Sequence, residues 1–222
     1  NIENTDIACV AKCYMDAMKT NPSFDLLIEN EVKVCDLNSD MEALQELYAS
    51  LQLAGNPLFS SWDFDASSDP CTWYGVFCDT SVQVTGSARL LGSGSVSELQ
   101  LASSNLEGEL PGGLGKLSNL RVLNMSFNSI SGSIPSNYWT DMSSLQTFDM
   151  RSNGIFMFSD EMDFSAAASK GTPLTNLLLS RNHFMGPLPK GLSLLPNLQT
   201  LDIASNYLTG SVKFVVTNNY IF

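Results

Sequence analysis

Histidine and basic side chains are scarce in this sequence of 222 residues. It holds one histidine, His183, and its 11 Lys and Arg are outnumbered by 23 Asp and Glu, which gives a formal net charge of −12 at pH 7. A nucleic-acid partner requires a surplus of basic side chains to neutralise its phosphates, so we expect no nucleic-acid binding. With a single histidine, the commonest general base and metal ligand is available at one position only.

Long apolar runs are also missing. Hydrophobic residues make up 44% of the chain, which is enough for a buried core. No run approaches the ~18 apolar residues that a membrane-spanning helix needs, so we expect no transmembrane segment. The acidic charge is uneven: residues 1–80 contain fourteen Asp and Glu against three Lys, whereas residues 81–222 contain nine against eight Lys and Arg. The two parts are therefore predicted to form different structural regions.

A catalytic constellation is lacking as well. His183 lies in "SRNHFMG", which predicts a solvated turn residue rather than a general base. The acidic stretch "SDEMD" (159–163) has neither the glycine nor the ligand spacing of a calcium loop. "GSGSVS" (92–97) has no lysine that could make it a phosphate-binding loop. We therefore expect no catalytic residue, no metal site and no cofactor, and we expect that the protein is not an enzyme.

What the sequence does contain is a repeat. The segments "LRVLNMSFNSISGSIP" (120–135), "LTNLLLSRNHFMGPLP" (174–189) and "LQTLDIASNYLTGSV" (198–212) share the pattern LxxLxLxxNxLxG. A weaker copy covers 97–111 and a degenerate copy covers 145–156. The first strand positions of the five copies, 24, 25, 29 and 24 residues apart, are Leu99, Leu123, Phe148, Leu177 and Leu201. Such units cannot bury their apolar faces alone, but stacked copies form a continuous core.

An asparagine recurs where each strand of the repeat should end, at Asn128, Asn153, Asn182 and Asn206, whereas Ser104 replaces it in the first copy. Its amide is predicted to bond backbone groups that the turn leaves without partners. The following glycine suits a turn with no room for a Cβ atom.

This pattern resembles the plant-type subfamily of the leucine-rich repeat (LRR) family. The resemblance implies an α/β repeat solenoid, a short solenoid of about five leucine-rich repeats with a parallel β-sheet on the concave face and a helical N-terminal region. The predicted boundaries are an acidic helical extension (1–38), an N-terminal LRR cap (39–96), five repeats (97–213) and a C-terminal strand or cap (214–222). The degenerate third copy carries an insert at 157–173, which is predicted to bulge from the convex or lateral side.

The stretch "WDFDASSDPCTWYGVFCD" (62–79) resembles the family's N-terminal cap, which has the form W…PCxWxGVxC. The matching residues are Trp62, Pro70, Cys71, Trp73, Gly75, Val76 and Cys78. The preceding segment resembles the cap's amphipathic helix, with Ser39 and Glu42 predicted as a capping box. This resemblance implies a disulfide between Cys71 and Cys78 and hence an oxidising compartment. A metal or redox pair is the rival interpretation, but zinc would need further ligands.

Residues 1–38 match no LRR cap. Cys9 and Cys13 lie four apart on one predicted helix, and a second disulfide would join Cys35 to one of them. Because the chain has five cysteines, one thiol stays free or links to another chain. The two predicted helices would form an acidic hairpin that serves as a docking element, or simply a solvated extension.

In such solenoids the residues that alternate with the leucines face the concave surface. The residues predicted for a concave binding face are Gln100, Asn124, Phe127, Asp149, Arg151, Arg181 and Asp202. Asn124 also begins the sequon "NMS", so a glycan there would occupy this face.

Two functions remain open from the sequence. The resemblance implies a non-enzymatic recognition module, as in a receptor ectodomain or a secreted inhibitor, in the extracellular space. The alternative is a structural or accessory subunit of a stable hetero-complex, in an organelle lumen such as the thylakoid lumen, which would dock through its non-repeat parts. Both interpretations require protein partners.

Overall fold

The computed structural model describes residues 37–65, 68–79, 94–158 and 164–210. These residues contain twelve short strands: β1 (Val76–Cys78), β2 (Val96–Gln100), β3 (Glu107–Glu109), β4 (Val122–Asn124), β5 (Ser129–Ser131), β6 (Ser133–Ile134), β7 (Thr147–Asp149), β8 (Met157–Phe158), β9 (Asn176–Leu178), β10 (Met185–Gly186), β11 (Thr200–Asp202) and β12 (Tyr207–Leu208).

Six of these strands form one sheet in the order β1-β2-β4-β7-β9-β11. β1 is antiparallel to β2, and every other neighbouring pair is parallel. The first strand positions pair in register, Leu99 with Leu123, Leu123 with Phe148, Phe148 with Leu177 and Leu177 with Leu201. The solenoid predicted from the repeat spacing is therefore confirmed, with the five repeats forming five adjacent rungs.

A second set of short parallel pairs follows the turn of each rung. β3 pairs with β5, β6 with β8, and β10 with β12. Opposite the six-stranded sheet, each of the first four repeats closes through a 3₁₀ turn or a short helix. These elements are the 3₁₀ turns at Gly112–Lys116 and Leu192–Leu194 and the helices α2 (Tyr138–Asp141) and α3 (Ser165–Ser169). The sheet forms the concave side and these elements form the convex side.

The recurrent asparagines form what we call the asparagine ladder, Asn128, Asn153, Asn182 and Asn206. Each amide nitrogen donates to the carbonyl of its own rung three residues earlier and to a carbonyl of the preceding rung, as Asn153 does to Met150 (3.1 Å) and Met125 (3.0 Å). The amide oxygen accepts from a backbone N–H of the preceding rung, which for Asn153 is that of Ile130 at 3.0 Å. The ladder thus satisfies buried backbone groups at every turn, as the sequence predicts.

The first rung shows what replaces the missing asparagine. Ser104 is fully buried, and its hydroxyl hydrogen-bonds the Tyr74 hydroxyl at 3.3 Å. The Ser104 carbonyl accepts from the Asn56 amide at 2.9 Å. Both partners belong to the cap, so the cap supplies the polar contacts that a preceding rung would otherwise make.

The N-terminal cap seals the front of the core. Helix α1 (Leu37–Ser50) buries Leu44 and Leu47, and these side chains join a single apolar core with the leucine rows of the repeats. A disulfide connects Cys71 and Cys78, as the cap resemblance implies. Trp62 and Trp73 stack with ring centroids 5.3 Å apart. Strand β1 then extends the sheet, so the first leucine row is covered.

One prediction for the cap helix is wrong, and part of the predicted insert is described by the structure. The predicted capping box is wrong, because α1 begins at Leu37 and Ser39 lies inside its first turn. The predicted insert is partly described: its Phe164 is buried, and the Phe164 N–H donates to the Lys190 carbonyl at 2.8 Å. Helix α3 therefore packs on the convex side rather than projecting from it.

Several predictions fall outside the described residues. These are the acidic hairpin with Cys9, Cys13 and Cys35, the acidic stretch 159–163, and the C-terminal strand at 214–222.

Candidate binding face

The strand register brings most of the predicted concave residues into one row. Gln100 pairs with Asn124, Asn124 with Asp149, Asp149 with Leu178, and Leu178 with Asp202. Because side chains alternate along a strand, these residues face away from the core that the neighbouring leucines fill. Four of the seven residues predicted for the binding face therefore lie on the concave side of the strands, and the role of all seven in binding stays a prediction.

Polar side chains at the N-terminal half of this face bond one another. The Gln100 amide donates to Glu98 at 3.2 Å, and the Asn124 amide donates to Gln100 at 3.2 Å. The Asn124 oxygen in turn accepts from the Ser126 N–H at 3.1 Å and from its hydroxyl at 2.8 Å. The Asn124 side-chain amide, which a glycan would modify, thus bonds both Gln100 and Ser126.

A salt bridge occupies the middle rung. Asp149 is almost completely buried, and it accepts from Arg151 Nε at 3.0 Å and from Nη2 at 2.7 Å. This contact raises the pKa of Arg151 above its ordinary value, and the charge of Asp202 acts in the same direction while partial burial opposes it. Asp202 also accepts a hydrogen bond of 2.6 Å from the Ser180 hydroxyl. The Arg151 guanidinium is therefore already paired with a carboxylate of its own rung.

Another row of residues lies at the rim of the face, just after each strand ends. Its members are Ser103, Phe127, Ser152, Arg181 and Ser205, and all have positive φ between 54° and 58°. Phe127 is 54% exposed, and Arg181 is exposed as well. We call this set the rim row.

The concave face also includes two groups of residues that the sequence pattern did not assign to it. Phe77 in β1 lies opposite Glu98 and is 53% exposed, so the sheet presents it on the same side as Glu98. The alternation of inward Val76 and outward Phe77 in "GVFC" is the signal that would have placed it there. The second omission is the row that precedes each first strand position, which comprises Glu98, Val122, Thr147, Asn176 and Thr200.

His183 lies on a turn away from the concave rows, as predicted. Its exposed ring stacks on Tyr207 with centroids 5.9 Å apart. In the part of the chain that the structure describes, three or more His, Cys, Asp or Glu side chains do not gather anywhere in a metal-binding group. No helix within the described ranges has the length and apolarity to cross a bilayer.

Comparison with known proteins agrees with this architecture. The family model for the leucine-rich repeat N-terminal domain matches residues 37–79, and the Leucine Rich Repeat model matches residues 119–140. Phytosulfokine receptor 1 of Arabidopsis thaliana is 31% identical over 193 residues, covering 78% of this chain. The chain spans 18% of that receptor's own length.

Solved structures show the same fold. The crystal structure of the BIR3–SERK2 complex from Arabidopsis thaliana matches with a TM-score of 0.61 at 32% identity, covering 76% of this chain and 82% of the matched chain. The Arabidopsis HAESA LRR ectodomain, crystallised with an N-terminal extended IDA peptide hormone ligand, matches with a TM-score of 0.60 at 25% identity, covering 79% and 26%. The cap, the repeat register and these matches together show that the chain belongs to the plant-type leucine-rich repeat proteins that carry an N-terminal LRR cap.

Proposed function

We propose that this chain is a non-enzymatic recognition module that binds a protein or peptide partner on its concave face, outside the cytoplasm. The observation that carries the proposal is the exposure of Phe77 and Phe127 on this face, each more than half accessible to solvent. Large aromatic side chains are enriched among residues that dominate binding energy in protein interfaces. Neither ring is needed to fill the core, because the inward-facing leucine rows already fill it.

The polar groups around these rings support the same interpretation. Glu98, Gln100 and Asn124 bond one another, and Asp149 bonds Arg151. A surface whose polar groups are already held in place loses little conformational entropy when a partner binds. The relative HAESA, whose ectodomain was crystallised with a peptide hormone ligand, supports a peptide or protein as the kind of partner.

The cap supports a location outside the cytoplasm. The Cys71–Cys78 disulfide persists in oxidising environments such as the extracellular space and the secretory lumen. The similarity to plant receptors favours the extracellular space over an organelle lumen.

Site-specific photo-crosslinking tests this function. A photoreactive residue is placed at Thr147 or Thr200 on the concave sheet, and at exposed Ser143 or Asn197 on the convex side as a matched control. In extracts of the source tissue, we expect one partner to crosslink from the concave positions and not from the convex ones. A partner captured only from the convex positions would favour the alternative of a subunit docked through other surfaces.

A further inference from the structure

All five residues of the rim row share a left-handed backbone conformation, although their side chains differ. The N–H groups of Ser103, Phe127, Ser152 and Arg181 each donate to a carbonyl of the next rung, at 2.8 to 2.9 Å. At these four positions the positive φ therefore accompanies a hydrogen bond between rungs. A left-handed conformation costs a residue with a Cβ atom roughly 1–2 kcal/mol, and a short side chain suffices to adopt it.

Three rungs place serine in this row, and two place a large side chain there. Phe127 and Arg181 point away from the core, and both are exposed. Since serine meets the structural requirement at the three other rungs, the fold does not require a phenyl or guanidinium group at either position. Large side chains at strained and exposed positions are candidates for function.

Arg181 also differs from the other two arginines of the described repeats. Arg151 pairs with Asp149, Arg121 with Asp79, and Lys116 with Glu42. Among the described residues, no carboxylate lies within ion-pair distance of Arg181. Its guanidinium can therefore accept a carboxylate from a partner in the two-pronged geometry that arginine favours.

The spacing of the two side chains is fixed by the sheet. Phe127 follows β4 and Arg181 follows β9, with only the β7 rung between them. Neighbouring strands lie roughly 4.8 Å apart, so the two anchor positions are about 10 Å apart. In a polyproline-like peptide, residues three apart lie on one face and about 9 Å apart. The intervening rim residue is the small Ser152, which leaves room for such a segment.

We infer that the partner presents an acidic segment to the rim row, with an apolar side chain on Phe127 and a carboxylate, about three residues away, on Arg181. This inference rests on the proposed concave-face function and adds the chemistry of the ligand. It also predicts that binding weakens as ionic strength rises, because the charged contact is partly solvated.

Selection from a random peptide library displayed on phage tests the inference with the full chain as bait. We expect enriched peptides to share an apolar residue and an Asp or Glu about three positions apart. Phe127→Ser and Arg181→Ser give each position the residue found in the other rungs, so both variants are expected to fold. Each should weaken binding of the selected peptides about tenfold, because Arg181→Ser removes a hydrogen bond to a charged group and Phe127→Ser removes an apolar contact. Arg181→Lys should retain part of the affinity.

Thr147→Arg serves to separate the two proposals, because it blocks the middle of the concave sheet without touching the rim row. Peptides that lose binding with Thr147→Arg but bind Phe127→Ser and Arg181→Ser normally would overturn the inference and leave the concave-face function standing. Peptides insensitive to all three substitutions would overturn both. A selection that enriches no peptide, or one without acidic residues, also counts against the inference.

Discussion

The asparagine ladder shows at the scale of single residues how one side chain type serves every rung. A side-chain amide carries two N–H donors and an acceptor oxygen, so each ladder member can bond carbonyls of two rungs and a backbone N–H of the preceding rung. The Met125 and Met150 carbonyls each accept from two ladder members. The Ile130 N–H, by contrast, has Asn153 as its side-chain acceptor, at 3.0 Å.

Asn153→Ala should lower the free energy of unfolding by about 2–3 kcal/mol. The two carbonyls keep their other donors, but the buried Ile130 N–H loses its acceptor, and an unsatisfied buried group costs about 1–3 kcal/mol in addition to the lost bonds. Urea unfolding followed by circular dichroism measures the change. The control Asn197→Ala removes an exposed bond to the Thr172 carbonyl and should cost less than about 1 kcal/mol. Equal losses in the two variants would contradict this account.

The ladder could be predicted from the sequence because asparagine recurs at one phase of the repeat. The pairing of Asp149 with Arg151 was not predicted, although residues two apart on a strand share a face. The pattern identified both as concave residues but could not show whether they would bond each other or a partner. Phe77 was missed because the cap's antiparallel strand lies outside the repeat.

At the scale of elements, the junction between the cap and the first rung depends on Gly75. This residue has φ of +73°, and a Cβ atom there would lie 2.7 Å from the Gln100 carbonyl oxygen and would overlap the Leu101 side chain. Only glycine allows β1 to approach β2 this closely.

Gly75→Ala is expected to destabilise the protein by at least about 3 kcal/mol, since overlap with neighbouring atoms adds to backbone strain. Gly171→Ala is a matched control, because Gly171 has nearly the same φ of +71° but no atom within 4 Å of the position that an added methyl group would take. It should cost about 1 kcal/mol from backbone strain alone. Thermal and urea unfolding measure both changes, and similar losses would show that crowding at Gly75 has no effect.

The boundaries of elements were less predictable than their existence. Ser39 and Glu42 fit a capping box by spacing, yet α1 begins at Leu37, because spacing alone does not fix the first residue of a helix. The third repeat lacks the glycine and proline that follow the turn in other repeats, so the repeat pattern cannot be followed beyond residue 156. Phe164 nevertheless finds a buried site against Trp139, with ring centroids 4.8 Å apart. Such a contact depends on the three-dimensional position of the preceding rung and has no local signature.

At the scale of the whole molecule, the cap and the repeats share one continuous apolar core. Stacked repeats stabilise one another through nearest-neighbour contacts, and the cap makes those contacts for the first rung. We therefore expect the described region to unfold in one cooperative transition.

Replacing both Cys71 and Cys78 by serine should reduce stability by about 2.5 kcal/mol on the chain-entropy estimate for a short loop. In a Trp139→Phe background, fluorescence reports on Trp62 and Trp73 in the cap, while circular dichroism reports on the whole chain. Both probes should shift to lower urea together. A shift seen by fluorescence alone would mean that the cap melts independently of the repeats.

The way each ladder asparagine bonds the backbone of two coils has a bearing on how such chains change over generations. Each asparagine side chain bonds its own coil and the one before it, so the bonding scheme of the amides is the same from one coil to the next. Duplicating or deleting a stretch of DNA that encodes one full coil would leave every remaining amide with equivalent partners. Lineages can thus vary the length of the curved surface, while the exposed rim side chains change independently.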